Sequence, residues 1–138
     1  MSTHAAIGIR LNDGRIKAIY CHFDGYVQHI GKMLTTHFNS MEKAVELVNE
    51  GELRSVDVDK DGNVELEHFV EDFEKREIEY YDTMEDMLNA FRNSDREFIY
   101  LWDDEFEGWV YREMLYTENG KAINDWMPVI ATLIELNV

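Results

Sequence analysis

The sequence predicts a single α+β domain, in which helices pack on one face of an antiparallel sheet. Two patterns indicate this fold class: apolar residues alternate in paired short runs, as in β-hairpins, and elsewhere recur every three or four residues, as in helices. With 138 residues the chain is too short for two independent cores, and 45% hydrophobic and 12% aromatic residues are enough to build one. We therefore expect one acidic domain over residues 1–138.

The first predicted element is a β-hairpin close to the N-terminus. The sequence Asn12-Asp13-Gly14 is typical of a turn, and apolar residues alternate on both sides of it. These alternating residues are Ile7, Ile9, Leu11, Ile16, Ala18 and Tyr20. A period of two predicts strands that each bury one face.

Two helices are predicted to follow this hairpin. After a turn at Asp24-Gly25, which also suits a helix N-cap, apolar residues recur at helical spacing at Val27, Ile30, Leu34 and Phe38. A capping box from Asn39 to Glu42 indicates that a second helix begins there and ends near Gly51.

The middle of the chain predicts a second hairpin followed by a helix. Apolar residues alternate on both sides of a turn at 60–63, at Val56, Val58, Val64 and Leu66. From about Glu67 the apolar spacing becomes helical, which would leave Glu67, Glu71 and Glu74 on the outer face of a helix.

The last third predicts a helix, two strands and a terminal helix. Thr83 is a suitable N-cap for a helix with Met87 and Phe91 inward. Residues 98–102 and 109–111 read as strands joined across 103–107. Asp125, with Pro128 just inside, suits the start of a final helix whose inward residues would be Trp126, Ile130 and Leu133.

The chain is strongly acidic, and the acidity is concentrated in its middle. There are 29 Asp and Glu residues against 13 Lys and Arg, for a formal net charge of −16. Residues 50–107 carry 21 acidic and six basic side chains, whereas residues 1–49 carry four and five. Such a surface repels phosphate backbones and anionic lipids, which argues against direct nucleic acid or membrane binding. Solubility is one interpretation of the charge, and an acidic face for a basic partner is the other.

Cysteine content and hydropathy indicate the compartment. The one cysteine, Cys21, excludes an internal disulfide and a cysteine-cluster zinc site, and it fits a reducing compartment. The sequence has neither a basic segment followed by a long apolar run at its start nor an apolar stretch long enough for a membrane span. We therefore expect a cytoplasmic protein.

The segment 57–65 resembles the start of an EF-hand calcium loop. Asp57, Asp59 and Asp61 occupy positions 1, 3 and 5, and a glycine follows at position 6. Position 12, however, is His68 instead of a bidentate glutamate. We expect a hairpin with a solvated turn that binds no calcium at physiological concentration.

The segment 20–26 places a thiol, an imidazole and a carboxylate close together, which is a pattern to test for catalysis. Consecutive strand side chains point to opposite faces, so Cys21 and His22 should diverge. The five histidines contain no closely spaced pair that would indicate a zinc site. We therefore expect neither an enzyme nor a metal site, and no cofactor.

The same segment resembles a known family. The run Tyr20-Cys21-His22-Phe23-Asp24-Gly25-Tyr26, leading into a glycine-containing helix, is similar to a motif of small, mostly uncharacterised bacteriophage and prophage proteins. Segments 51–55 and 98–102 also resemble that family, although many relatives have proline where this chain has Val27. The resemblance implies a phage protein made inside a bacterium, and it transfers no catalytic residues.

The leading functional hypothesis is a non-catalytic protein that inhibits a host protein acting on nucleic acid, such as a restriction or CRISPR-type defence component. Carboxylates three or four residues apart on a helix lie about 5–6 Å apart, similar to phosphates along a strand, which would permit DNA mimicry. The acids expected to contact the partner are Asp57, Asp59, Asp61, Glu65, Glu67, Glu71, Glu74, Glu77, Asp103, Asp104 and Glu105. The alternative is a small-molecule or metal-binding module, using the 57–65 loop or a pocket around His22 and Tyr26.

Overall fold

A computed structural model describes residues 3–115 and 125–138 of the chain. The strands are β1 (Ala5–Arg10), β2 (Ile16–Cys21), β3 (Leu53–Val58), β4 (Val64–His68), β5 (Glu79–Tyr81), β6 (Phe98–Asp103), β7 (Gly108–Glu113) and β8 (Met127–Pro128). The α-helices are α1 (Lys32–His37), α2 (Met41–Asn49), α3 (Met84–Phe91) and α4 (Val129–Leu136). A five-residue π-helix, Val27–Gly31, leads into α1. The predicted α+β class is confirmed.

All strands belong to one mixed sheet with the order β4-β3-β2-β1-β6-β7-β8, and β5 pairs with the first half of β2. The three predicted hairpins, β1/β2, β3/β4 and β6/β7, are present and antiparallel. However, β1 pairs with β6 and β2 pairs with β3 in parallel. The expectation of a purely antiparallel sheet is therefore wrong, because parallel neighbours are joined by crossovers that leave no local turn signal.

Helices cover both faces of the sheet instead of one. Helices α1, α2 and α4 pack on the face that includes Ile7 and Ile9. Helix α3 packs on the other face, where Met87 and Phe91 contact a second buried cluster that contains Ala6. The one-face expectation is wrong because the second face of β1 carries small residues, which give no strong apolar signal in the sequence.

The predicted helix starts are confirmed in one case and shifted in another. Thr83 caps α3, because its hydroxyl accepts a hydrogen bond from the backbone N–H of Asp86 at 3.1 Å. At α2 the cap is Ser40, which accepts from the backbone N–H of Lys43 at 3.2 Å, and not Asn39. Among the described residues, no helix is long and apolar enough to cross a membrane.

The final helix begins later than predicted. Helix α4 starts at Val129, and Asp125 lies ahead of it, where its carboxylate accepts from the backbone N–H of Trp126 at 2.8 Å. Leu133 is buried as expected, but Ile130 is 52% exposed. The inward face of α4 is therefore formed by Val129 and Leu133.

Residues 69–75 do not form the helix that their apolar spacing predicted. Glu67 lies within strand β4, and the helical structure in residues 69–75 is one 3₁₀ turn at Phe73–Lys75. The guanidinium of Arg76 donates to the backbone carbonyls of Val70 at 2.9 Å and Glu71 at 3.1 Å. A helix would need these carbonyls for its own backbone hydrogen bonds, so Arg76 holds the segment in an irregular conformation.

Gly25 connects the turn after β2 to the centre of the sheet. The hydroxyl of Tyr100, which is fully buried, donates to the Gly25 carbonyl at 2.6 Å. The backbone N–H of Gly25 donates to the carbonyl of Thr3 at 2.8 Å. A Cβ at position 25 would lie only 2.7 Å from the Cβ of Ala5, so the close approach requires glycine.

We predict that Tyr100→Phe lowers the free energy of unfolding by about 1–3 kcal/mol, because the buried Gly25 carbonyl loses its partner. Chemical denaturation followed by circular dichroism measures this change. The matched control is Tyr80→Phe, at a residue that is 69% exposed, which should leave the stability within about 0.5 kcal/mol of the parent. Equal effects of the two substitutions would contradict the assigned role of the Tyr100 hydroxyl.

Candidate functional site

Five of the eleven acids assigned to partner binding lie on one hairpin. This acidic hairpin, residues 53–68, consists of β3, β4 and their turn, and it carries Asp57, Asp59, Asp61, Glu65 and Glu67. Three further acids are exposed on the irregular chain that follows it, at Glu71, Glu74 and Glu77. These last three share no helical face, so the prediction that carboxylates on a helix mimic phosphates is wrong.

The remaining acids, Asp103, Asp104 and Glu105, lie at the opposite end of the sheet. Asp103 is the last residue of β6, and Asp104 and Glu105 follow it in the turn. Strand β6 is parallel to β1 and therefore ends beside the end of β1. Strand β3 runs antiparallel to β1 and continues past the end of β2, so its turn lies beyond the start of β1. The eleven acids are thus divided between two ends, and the acidic hairpin holds the largest group.

Cross-strand register places like charges together on the acidic hairpin. Asp57 lies opposite Glu65 and Ser55 lies opposite Glu67, so the three carboxylates share one face. Directly opposed like charges destabilise a sheet. Arg54 comes within 4.0 Å of Glu67, but both side chains are well exposed, and such a pair contributes little. Asp57 also contacts Nε2 of His29 at 3.1 Å, whereas Glu65 and Glu67 are exposed, so the face presents net negative charge to solvent.

The turn of the acidic hairpin is ordered by its own hydrogen bonds. Asp59 accepts from the backbone N–H groups of Asp61 and Asn63, each at 2.9 Å, and the bonds from this turn lower the pKa of Asp59. His68 pairs instead with Glu50 at 3.0 Å. Strands flank the turn where an EF-hand has helices, so the predicted hairpin is confirmed and the EF-hand arrangement is not formed.

Segment 20–26 directs its side chains to two faces, as strand geometry predicts. Cys21 is fully buried under α1 and α2, whereas Tyr20 and His22 lie on the other face. The His22 ring stacks on His4 with a centroid separation of 4.5 Å, while the Tyr26 ring lies 6.3 Å from another histidine, His29. The two rings of the predicted His22/Tyr26 pocket therefore belong to different clusters.

A hydrogen-bonded cluster of His4, Tyr20, His22 and Asp95 was not predicted from the sequence. The Tyr20 hydroxyl donates to the Asp95 carboxylate at 3.1 Å, and since a phenol has one proton it accepts from Nδ1 of His22 at 2.9 Å. Nδ1 of His4 donates to the backbone carbonyl of His22 at 2.7 Å. The register of β1 and β2 could have placed His4 beside His22, but Asp95 comes from a distant loop.

The surroundings of Tyr20 in this cluster disfavour its ionised form. Burial, followed by the neighbouring Asp95 carboxylate, raises the pKa of the Tyr20 hydroxyl well above its ordinary value, so the phenol keeps its proton at neutral pH. The guanidinium of Arg96 lies 5.1 Å from the Tyr20 ring and pairs with Glu79 at 2.6 Å. The arrangement orients two imidazoles, and within residues 3–115 and 125–138 it brings no serine or cysteine nucleophile to them.

The Cys21 thiol is held in its neutral form. Burial raises its pKa to about 12, and Sγ donates weakly to the carbonyl of Phe23 at 3.7 Å. A reactive cysteine needs a thiolate and access to solvent, and Cys21 has neither at neutral pH.

Comparisons of the chain with protein-family models, with curated proteins and with solved structures find no match.

We predict that Cys21 in the folded protein reacts with iodoacetamide at pH 8 about a thousandfold more slowly than in the urea-unfolded protein. The reason is that the shift of the pKa from 9.0 to about 12 reduces the thiolate fraction by that factor. Mass spectrometry of timed, acid-quenched samples measures both rates. Comparable rates in the two states would show that the thiol is accessible and ionised, contrary to its burial.

Proposed function

We propose that this protein is a non-catalytic binding protein whose acidic hairpin occupies a basic, nucleic acid-binding surface of a partner protein. The observation that carries the proposal is the shared face of Asp57, Glu65 and Glu67. Natural sheets seldom place carboxylates directly opposite one another, because the repulsion costs stability. A partner surface rich in Lys and Arg would remove that repulsion on binding.

The position of the acidic hairpin in the sheet also supports this role. Strand β4 is the terminal strand, and β3 pairs with β2 only at Leu53 opposite Cys21 before running past the end of β2. The tip of the hairpin therefore extends past β2 and can enter a groove, while Leu53 and Val56 remain buried in the core. Charge on an edge strand also discourages non-specific strand pairing, so the same residues favour a polar contact over aggregation.

The spacing of the carboxylates supports phosphate mimicry on a strand instead of a helix. Residues two apart on one strand, such as Glu65 and Glu67, are separated by about 6.8 Å. Directly opposed residues, such as Asp57 and Glu65, have Cβ atoms about 4.5–5.5 Å apart. These separations are of the same order as those between neighbouring phosphates along a nucleic acid strand.

The resemblance of segment 20–26 to phage proteins is the reason that we propose a bacterial host protein as the partner. A phage protein acts in the cytoplasm of a bacterial host, where proteins that bind DNA or RNA through basic grooves include those of restriction and CRISPR-type defence. The opposite charges of the acidic hairpin and the partner would accelerate their association, and salt would screen this attraction. Nucleic acid itself carries the same sign of charge and is not the ligand.

We predict that the triple variant Asp57→Lys/Glu65→Lys/Glu67→Lys loses the partner proteins that the parent retains from a bacterial lysate at 50 mM salt. The variant should fail because its hairpin repels a basic groove. Quantitative mass spectrometry of the retained proteins is the measurement, with circular dichroism to show that the variant is folded. The proteins concerned should bind nucleic acid, elute with added double-stranded DNA, and be lost at 500 mM salt.

The matched control is Asp104→Lys/Glu105→Lys, which reverses two exposed carboxylates at the opposite end of the sheet. This variant should retain the same proteins as the parent. If it loses them while the folded triple variant keeps them, the acidic hairpin is not the binding surface. Retention that is insensitive to both salt and DNA would exclude the electrostatic mechanism altogether.

A further inference from the structure

We propose that Asp24, His29 and Asp57 form a binding site for a divalent transition-metal ion, with Zn²⁺ as the reference ion. One imidazole nitrogen and one oxygen from each carboxylate all lie within 4.8 Å of one another. The residues come from the turn after β2, from the π-helix and from β3. This inference does not rest on the proposed function.

The fold brings these residues together where β2 stops and β3 continues. The backbone N–H of Phe23 makes the last hydrogen bond to β3, at the carbonyl of Arg54. The chain then turns through Asp24, whose φ of 56° is in the left-handed region, and returns as the π-helix. Tyr26, and not Asp24, occupies the N-cap position of that helix, so the Asp24 carboxylate has no capping role.

Two oxygen atoms lie close to the imidazole nitrogen of His29 in this site. Nε2 of His29 lies 2.8 Å from the carbonyl oxygen of Val56 and 3.1 Å from Oδ1 of Asp57. In a tetrahedral Zn²⁺ site with metal–ligand bonds of about 2.1 Å, neighbouring donor atoms lie about 3.4 Å apart. The 3.1 Å between Nε2 of His29 and Oδ1 of Asp57 is short enough for both atoms to bind one cation, which would replace the proton through which Nε2 contacts the Val56 carbonyl.

The donor set selects the class of metal. Imidazole nitrogen is a good ligand for Zn²⁺ and the neighbouring transition metals, whereas Ca²⁺ and Mg²⁺ prefer sites made only of oxygen. Two carboxylates and an imidazole would balance the charge of a divalent ion with no cysteine. The site is open to entry, because the His29 and Asp57 side chains are 27% and 44% exposed and Asp24 is exposed.

The test is isothermal titration of tag-free protein with Zn²⁺, and separately with Ca²⁺. We expect one Zn²⁺ per chain with micromolar affinity, and Ca²⁺ binding at least a hundredfold weaker. Asp24→Asn and His29→Gln should each weaken Zn²⁺ binding at least tenfold. Asparagine tolerates the left-handed conformation, and glutamine can still donate to the Val56 carbonyl, so both variants should fold. Thermal melts of the metal-free proteins verify this.

The matched control is His68→Gln, which makes the same chemical change in the ion pair with Glu50, outside the proposed site. Zn²⁺ binding should be unchanged in this variant. Zn²⁺ binding that is absent in the parent, that is lost equally in His68→Gln, or that survives in both site variants would overturn the proposal. Equal affinity for Ca²⁺ would overturn the assignment to transition metals. Asp57 belongs to both the proposed metal site and the acidic hairpin, whereas Asp24 and His29 lie outside the hairpin, so the variants at these two residues test the metal site alone.

Discussion

Burial of strand β1 on both faces is the constraint on which the rest of the structure depends. Five of its six residues are buried, so the sheet needs an apolar layer on each side. Helices α1, α2 and α4 supply one layer, and α3 supplies the other. The two edges of β1 are occupied by β2 and β6, which extends the sheet in both directions. The acidic hairpin and the turn at 103–107 are consequently kept far apart.

The elements predicted correctly from the sequence are those marked by residues that lie close together in the sequence. Each hairpin is marked by alternating apolar residues around a turn within about fifteen residues, and the α3 cap is marked by Thr83 alone. The parallel pairing of β1 with β6 joins Ile7 to Tyr100, so no window of the sequence contains both strands. The prediction of a helix over residues 69–75 is wrong because Arg76 binds the carbonyls that would support the helix. The spacing of apolar residues carries no information about such a contact.

The candidate sites were predictable to different degrees. The concentration of acids in residues 50–107 identified the acidic hairpin as a surface of interest, but only the strand register shows that Asp57, Glu65 and Glu67 share a face. The site around His29 was not expected, because the usual signal is a pair of closely spaced ligands in sequence. Its members come from separate segments, and the end of β2 brings them together.

The acidic hairpin is attached to the domain mainly at one end. At its base, Leu53 and Val56 are fully buried in the main core, and the backbone N–H groups of His22 and Phe23 donate to the carbonyls of Leu53 and Arg54. Near the turn, Val58 and Val64 remain 42% and 37% exposed, so little buried apolar surface opposes local opening there. Amide protons at the tip can therefore exchange with solvent through small openings, while those of β1 and β6 exchange only when the whole domain unfolds. The tip of the hairpin can thus open locally while its base stays packed in the core.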